Sequence, residues 1–520
     1  MRNPPQRVLS ANQALALPLY GAGATRALEA QLAATLPSHS LMQRAGLSVA
    51  RLALAVAPHA QTIWIACGPG NNGGDGLEAA LHLHAWGKQV WLTCLGNSAT
   101  LPTDAKAALQ RVLAAGVEVK ELMPTHFDLC IDALLGLGSA QADSKAPRPI
   151  EGRMAEWIAR MNAGAATVLA VDLPSGLQAN TGVQNNHCVR AQHTLSLLGL
   201  QPGLFTAQGR DVCGAIWLDD LTGASALDHA QLQAQAQAQA LPRPAALLSP
   251  RPPVQARPHA SHKGSFGDVA ILGGASGMVG AAVLAARAAH ACGAGRVYVG
   301  LLAPEEAARP IAWDPLHPEL MFRSPGELPL NQLTVVIGCG GGNAFGPTLA
   351  QALSQGPALV ADADALNLIA QDAQLQSLLQ KRQARGWATV LTPHPLEAAR
   401  LLQSSTAQVQ ADRLAAAQHL AERFGCVLVL KGSGSVIAAP SCVPFINPTG
   451  NGSLAGAGTG DVLAGMVGAA LAQLRPDRSM MTRVQTAVAH AVYRHGDTVT
   501  NWPSEHPLSA SQLLHLLNKK

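Results

Sequence analysis

Thr62-Ile-Trp-Ile-Ala-Cys-Gly-Pro-Gly-Asn-Asn-Gly-Gly-Asp-Gly-Leu-Glu-Ala-Ala80 is the stretch from which the fold of the first half of the chain follows. Thr62 to Ala66 is a short apolar run and reads as a strand buried on both faces. The glycine-rich run after it reads as a turn, and Gly76 to Trp86 as a helix. Strand, turn and helix in that order make half of a parallel βαβ unit. Glycines there let backbone N–H groups approach an anion, and a helix N-terminus favours negative charge. Asn71, Asn72 and Asp75 add polar groups at the carboxyl edge of the sheet, where ligands of such folds bind.

The same order recurs on both sides of this stretch. A helical segment is expected over about Tyr20 to Ala57, with Leu28, Leu32 and Leu36 spaced by four. Further strands are expected at Gln89–Leu95, Leu129–Ile131 and Thr167–Val171. In the second half they fall at Asp268–Leu272, Arg296–Gly300, Thr334–Ile337, Ala358–Ala361, Ala388–Leu391 and Val427–Leu430. Helices are expected at Gly280–Cys292, Pro395–Leu402, Val409–Phe424 and Asp461–Leu474. Between the halves, Gln231 to Ala240 alternates Gln and Ala, and a Pro-rich run extends from Leu241 to Pro258. Such a segment has no amphipathic face and reads as a linker. The expected organisation is a first domain over residues 1–222, a linker over 223–258 and a second domain over 259–520. The fold class is α/β: two three-layer αβα domains, the first with a Rossmann-like parallel sheet.

Composition agrees with this and removes other classes. The 520 residues carry 36 Lys+Arg against 32 Asp+Glu, a net charge of +4, so nothing calls for nucleic acid or an anionic membrane as a partner. Charged residues are 13% and hydrophobic ones 48%, which excludes extended disorder for most of the chain. Aromatics are 3% against 50 Gly, so the core is built from small aliphatic side chains. The nine cysteines form no CxxC and sit in apolar runs, as core residues of a protein in a reducing cytoplasm would. Ser453 to Leu474 is the most apolar long stretch, but Asp461 and several glycines make it a buried helix with a polar start, not a membrane span.

Two further loops of the first half leave strand ends: Asp132-Ala-Leu-Leu-Gly-Leu-Gly138 and Val171-Asp-Leu-Pro-Ser-Gly-Leu177. An Asp at the end of a buried strand costs free energy unless it is paired or bound. Taken with Leu41-Met-Gln-Arg-Ala-Gly46 and the GPGNNGGDG run, these residues resemble the NAD(P)H-hydrate epimerase domain over about Leu19 to Asp220. The resemblance implies interconversion of the R and S forms of NADHX and NADPHX, the hydrated cofactors. It implies a potassium ion on Asn72, Asp132 and Ser175. It implies hydrate binding by Asn71, Asn72, Gly73, Gly74 and Asp75, by Gly136, Leu137, Gly138, Ser139, Ala140, Gln141 and Ala142, and by Asp172. A carboxylate such as Asp172 can shuttle a proton while the hydrate opens and recloses. Gln201 stands where the resemblance has lysine.

In the second half His262-Lys-Gly-Ser-Phe-Gly-Asp268 leads into the Gly273–Ala282 turn. Gly338–Gly342, Asp362–Asn367 and Thr392-Pro-His-Pro395 follow other strands. Leu430-Lys-Gly-Ser-Gly-Ser435 and Asn447–Gly452 come next, then Gly456-Ala-Gly-Thr-Gly-Asp-Val-Leu463 opens a long helix. Backbone amides at that start form an anion hole, and Asp461 at its mouth could take a proton from a hydroxyl facing a phosphate. GAGTGD resembles the ribokinase-like enzymes, which implies a ribokinase-like sheet. With HKGSFG, GGASG, PHP and LKGSGS the half resembles the ADP/ATP-dependent NAD(P)H-hydrate dehydratase over about Ser261 to Leu517. The resemblance implies nucleotide contacts from Lys431, Gly432, Ser433, Gly434, Ser435 and Gly460. It implies hydrate contacts from Ala281, Gly341, His394 and Asp461. ADP is the expected co-substrate with ATP possible, Mg2+ accompanies it, and a homo-oligomer is expected. Two alternatives stand beside this reading: a ribokinase-like small-molecule kinase, and a first half that is a non-catalytic ligand-binding module.

Overall fold

The computed structural model describes residues 4–8, 15–96, 99–137, 148–222, 242–254, 256–302, 313–474, 481–503 and 505–519. Contacts divide the chain into two units, one containing Leu17–Leu247 and the other Leu248–Lys520. In the first, the strands lie in the order Gln6–Arg7, Ala215–Asp219, His193–Leu197, Thr167–Val171, Leu129–Ala133, Thr62–Cys67, Gln89–Cys94 and Val119–Lys120. Neighbours run parallel except at the Gln6–Arg7 edge. Trp64 is fully buried on one face, packed edge-on to Phe127 and Trp157, and its Nε1 donates to Thr93 Oγ1 at 2.9 Å. The opposite face is covered by helices Ser40–Val56, Asn71–Ala85 and Thr103–Ala114. From Thr62–Cys67 the chain first builds outward to one side and then, with Leu129–Ala133, to the other. The turns after these two strands therefore flank a crevice, bridged by Gly68 N donating to Ala133 O at 2.9 Å.

Two elements differ from expectation. The segment expected as one helix over Tyr20–Ala57 is two, Ala22–Ala33 and Ser40–Val56. Pro37 has no N–H to continue the first, and His39 at φ 65° turns the chain into the second. The helix expected from Gly76 begins at Asn71, so the polar glycine run forms its first turns. Close packing demands the glycines: a Cβ on Gly73 would lie 2.0 Å from Gly68 O, and one on Gly74 2.5 Å from Met42 Cε.

The sheet of the second unit runs Met321–Phe322, Arg296–Leu301, Asp268–Gly273, Thr334–Ile337, Ala358–Ala361, Ala388–Leu391, Val427–Leu430, Val436–Ala438 and Phe445–Ile446. It is parallel up to Val427–Leu430 and antiparallel beyond. Its order reverses between Asp268–Gly273 and Thr334–Ile337. Within the Pro-rich run, Ala246–Leu248 forms a strand, and Ser249 N donates to Ile446 O at 2.9 Å. The segment expected as one helix over Val409–Phe424 is Thr406–Ala411 and Arg413–Phe424, because Asp412 caps the second through Ala415 N at 2.9 Å.

Small residues set the packing of this unit. Helices Val279–Ala291 and Thr459–Gln473 touch backbone to backbone: a Cβ on Gly465 would lie 2.0 Å from Ala285 O. One on Gly468 would lie 2.4 Å from Val336 Cγ2 on the sheet. Gln473 Nε2 donates to Cys292 O at 3.0 Å where the two helices end. Each of the nine cysteines is a free thiol. Among the described residues no helix is long and apolar enough to cross a membrane.

Candidate functional site

Each unit brings its chemistry to the edge where its strand order reverses. In the first, a cavity of about 570 Å³ opens there, with Arg26, Glu29, Asn72, Asp75, Gly136 and Asp172 among its walls. Asp172 follows the strand Thr167–Val171 at φ 67°, a left-handed conformation that is strained for a residue with a Cβ. Its N–H donates to Leu195 O at 2.7 Å, which fixes the turn. Its Oδ2 accepts from Leu137 N at 3.2 Å, while Oδ1 is buried with no partner among the described residues. Burial pushes the carboxyl up to about 7, against the hydrogen bonds from Leu137 and Leu197. A carboxyl that titrates there can both take and return a proton at neutral pH.

Asp132 lies beneath, fully buried in Leu129–Ala133. Its Oδ1 accepts from Ser175 Oγ at 2.6 Å and Leu134 N at 3.2 Å, and Oδ2 accepts from Ser175 N at 2.8 Å. Burial still pushes it up to about 6, with those hydrogen bonds pulling the other way. Ser175 Oγ also accepts from Leu135 N at 2.8 Å. The Asn72 carboxamide faces Gly136, where a Cβ would lie 2.9 Å from Asn72 Oδ1 and 3.2 Å from Asp172 Oδ2; its Nδ2 is buried without a partner among the described residues. Asp75 is held well above the carboxylate range by burial and then by the charge of Asp172.

Of the residues expected to hold the hydrate, Asn71, Asn72, Asp75, Gly136, Leu137 and Asp172 line this cavity. Gly73 and Gly74 pack behind it. Gly138, Ser139, Ala140, Gln141 and Ala142 lie outside the described residues. Arg26 and Glu29 were not anticipated. They stand on the polar side of Ala22–Ala33, and Arg26 Nη2 donates to Leu137 O at 2.7 Å. Nothing in their spacing distinguishes them from a solvated helix face. Gln201 is fully buried and turned into its own loop: Nε2 donates to Gly199 O at 2.8 Å, and Oε1 accepts from Ser196 Oγ at 3.0 Å.

In the second unit Asp461 lies in the first turn of Thr459–Gln473, after Gly458 at φ 86°. Thr459 Oγ1 donates to the carbonyls of Leu454 at 2.7 Å and Gly456 at 2.9 Å, which closes the glycine turn. Carboxylate oxygens of Asp461 and Asp362 and the Cys339 Sγ lie within 4.8 Å of one another. Lys431 Nζ donates to Asp362 Oδ1 at 2.7 Å, and a Cβ on Gly460 would lie 3.4 Å from that Nζ. Burial, then the charge of Asp362, pushes Asp461 up to about 6, with Lys431 opposing. Burial pulls the Lys431 ammonium down, but Asp362 and Glu397 outweigh it and hold it above its ordinary value.

Lys431 N donates to Pro393 O at 2.9 Å, so the Lys431–Ser435 turn lies beside the His394 turn. His394 Nδ1 accepts from the backbone of Leu396 at 3.1 Å and Glu397 at 3.3 Å, which leaves the proton on Nε2, 3.2 Å from Glu397 Oε1. Burial lowers the imidazole's affinity for a second proton. Glu397, largely buried, is pushed up to about 7. Across the reversal, Gly274 N donates to Cys339 O at 3.0 Å and Ala275 N to Gly340 O at 2.7 Å. A Cβ on Gly340 would lie 3.0 Å from Ala281 Cβ, so Ala281 and Gly341 share this edge. Arg413, fully buried, donates to the carbonyls of Leu430 at 3.3 Å and Lys431 at 3.2 Å under Gly432. Asp362, Cys339, Glu397 and Arg413 were not assigned from sequence. Only Asp362 carried a signal, as a polar residue closing an apolar strand.

Family comparisons divide the chain in the same way. A family model described as NAD(P)H-hydrate dehydratase matches residues 269–520, and one described as YjeF-related protein N-terminus matches residues 38–203. The bifunctional NAD(P)H-hydrate repair enzyme of Escherichia coli is 37% identical, over 84% of this chain and 81% of its own. That of Moorella thermoacetica is 32% identical, over 93% and 92%. Among solved structures, the ADP/ATP-dependent NAD(P)H-hydrate dehydratase of Bacillus subtilis, co-crystallised with ATP/Mg2+, is 30% identical with a TM-score of 0.41, over 51% of this chain and 92% of that one. A ribokinase-like superfamily protein of Enterococcus faecalis is 26% identical with a TM-score of 0.41, over 51% and 90%. With both halves matched and most of each relative's length covered, the chain belongs to the family of bifunctional NAD(P)H-hydrate repair enzymes.

Proposed function

We propose that the two sites act in series on hydrated NAD(P)H, the first converting R hydrate to S and the second removing water from S at the expense of a nucleotide. The observation that supports this reading is the same in both units. A carboxyl, buried at Asp172 and half-buried at Asp461, stands at the switch-point edge of a parallel sheet with its proton affinity raised into the range of proton transfer.

In the first site Asp172 takes the hydroxyl proton as the hydrate ring opens and returns it as the ring recloses on the other face. Asn71, Asn72, Asp75, Gly136 and Leu137 bind and orient the substrate. A potassium ion fits Asn72, Asp132 and Ser175, since amide, carboxylate and hydroxyl oxygens are hard donors without histidine or cysteine. The buried Asp132 charge supports that fit. When bound, the ion offsets the Asp132 charge.

In the second site the glycine amides of Gly456–Gly460 and the Lys431–Ser435 turn hold the nucleotide phosphates. Asp461 takes the proton of the hydrate hydroxyl as that oxygen attacks the terminal phosphorus. The phosphorylated oxygen then leaves as phosphate with its electron pair while the adjacent ring carbon gives up a proton to solvent, which forms NAD(P)H; AMP is the other product where ADP is the donor. Lys431 neutralises charge on the transferred group. Asp362 and Asp461 are the carboxylates at this edge that would hold a magnesium ion carried with the nucleotide, which would supply further neutralisation of the phosphate charge. His394, Ala281 and Gly341 shape the hydrate pocket. Repair of a soluble cofactor suits the cytoplasm.

The test is the full chain given mixed R and S hydrate with ADP or with ATP, followed by NAD(P)H absorbance. Complete conversion supports two active sites. Consumption of S hydrate alone would leave the first unit a binding module; phosphorylated alcohol without NAD(P)H would make the second a kinase.

A further inference from the structure

We propose that His290, His317 and Glu319 of the second unit form a binding site for a borderline divalent cation, with zinc the best fit. The three side chains come from two elements. His290 lies in the last turn of Val279–Ala291, while His317 and Glu319 lie on the segment that leads into the strand Met321–Phe322. Their ligand atoms lie within 4.8 Å of one another. Both imidazoles present Nδ1 to the same carboxylate oxygen, each 3.3 Å from Glu319 Oε1.

At 3.3 Å the His317–Glu319 contact is a long hydrogen bond, open enough to admit an ion. A charge-assisted N–H···O bond closes to about 2.7–2.9 Å. In a tetrahedral zinc site with bonds of about 2.0–2.1 Å, neighbouring ligand atoms are separated by about 3.3–3.4 Å, the edge of the tetrahedron. The two nitrogen–oxygen spacings match two edges of such a tetrahedron, and all three ligand atoms lie within 4.8 Å of one another. Side-chain exposures of 40%, 26% and 41% leave the fourth position to water. The C-terminal end of a helix, which His290 occupies, also favours a cation.

The scaffold is built without the metal. Arg287, one turn before His290, clasps Asp314 through two hydrogen bonds of 2.7 Å. Asp314 Oδ1 accepts from Leu316 N at 3.0 Å, and its carbonyl accepts from His317 N at 3.2 Å. Leu320 N donates to His317 O at 3.1 Å. The ligand-bearing turn is thereby held against the helix before any ion arrives. A bound ion would be a second clasp beside Arg287–Asp314, tying the helix that carries Ala281 to the outer strands of the sheet.

The experiment is calorimetric titration of the full chain with zinc chloride after chelator treatment, with cobalt(II) absorption as a reporter of coordination geometry. Wild type should bind one equivalent more than His290→Ala or His317→Ala, and Glu319→Gln should bind that equivalent at least about tenfold more weakly. Excess zinc should raise the wild-type Tm by on the order of 5 °C and leave both alanine variants unmoved. In EDTA all chains should melt alike, because the three residues support no core. Equal zinc stoichiometry and affinity in wild type and variants would overturn the site. A stoichiometry that falls only on Cys339→Ser would do the same, since the ion would then sit at the other cluster. Should the alanine variants fail to fold, His317→Gln reads the same loss, and wild-type affinity in it rejects the proposal.

Discussion

Asp461→Asn separates the two things this carboxyl does. As a base it should be worth about 100–10,000-fold in dehydration rate, so the variant should bind nucleotide and turn over at that reduced level. As a charge it costs the fold. Its folded value of about 6 stands some two units above the ordinary 3.8. That corresponds to about 2–3 kcal/mol against the native state whenever the group is ionised, allowing for its partly solvent-facing edge. The sign follows from the raised proton affinity. Below about pH 4 the group is protonated in folded and unfolded chains alike and costs nothing. Between about 4 and 6 the folded chain must give up a proton it holds more tightly, and stability falls. Above 6 the full cost remains. Asparagine carries no such charge, so the variant should be more stable than wild type at pH 7 by that amount. For a unit of this size that is roughly 5–10 °C in Tm. The advantage should vanish near pH 4. Calorimetry from pH 4 to 8, beside turnover with S hydrate, measures both. A variant with near-normal turnover removes Asp461 from the chemistry. One with full loss of turnover but no pH-dependent gain in Tm refutes the burial argument.

Three further outcomes are expected. In the first unit the wild-type epimerisation rate should rise with pH through about 7 as Asp172 ionises, and Asp172→Asn should lose both that limb and about 100-fold or more in rate. Ser175→Ala should strip Asp132 of its 2.6 Å partner and orphan Leu135 N, costing about 1–3 kcal/mol in urea unfolding and flattening any potassium dependence of Tm. Gly465→Ala should push apart two helices in backbone contact, at about 1–3 kcal/mol by thermal melting, with dehydration falling as the glycine turn at the helix start shifts.

The strands that build the sites were legible because each is an apolar run closed by a polar or glycine turn. Thr334–Ile337, Ala358–Ala361, Ala388–Leu391 and Val427–Leu430 begin and end where expected. His193–Leu197 and Ala215–Asp219 escaped notice; in the first, polar residues dilute the apolar run. The long first helix was misjudged because the leucine spacing of four runs up to Leu36, against Pro37, and further leucines follow from Leu41. At the sites, strand-end aspartates carried their own signal through the cost of burying them. Arg26, Glu397 and Arg413 carried none. Their helices look like any solvated helix, and only tertiary packing turns those side chains inward. The glycines of the first unit misled in a different way: a run that reads as a loop became helix, because neighbouring backbone leaves no room for a side chain.

Helices Val279–Ala291 and Thr459–Gln473 are joined at Gly465 with no side chain between them and pinned at their ends by Gln473. Side chains in a packed layer can exchange rotamers and absorb a displacement; a backbone-to-backbone junction has nothing to exchange. The pair therefore moves as a single lever. One helix starts at the turn carrying Ala281, and the other at the turn carrying Asp461. On the proposed placing of the hydrate against Ala281, a hydrate that orders the first turn would set the position of the second before the nucleotide arrives. The two ligands would then bind with positive cooperativity although neither touches the junction. This mechanical linkage would survive any change of the pocket's side chains and be lost with one methyl group at Gly465.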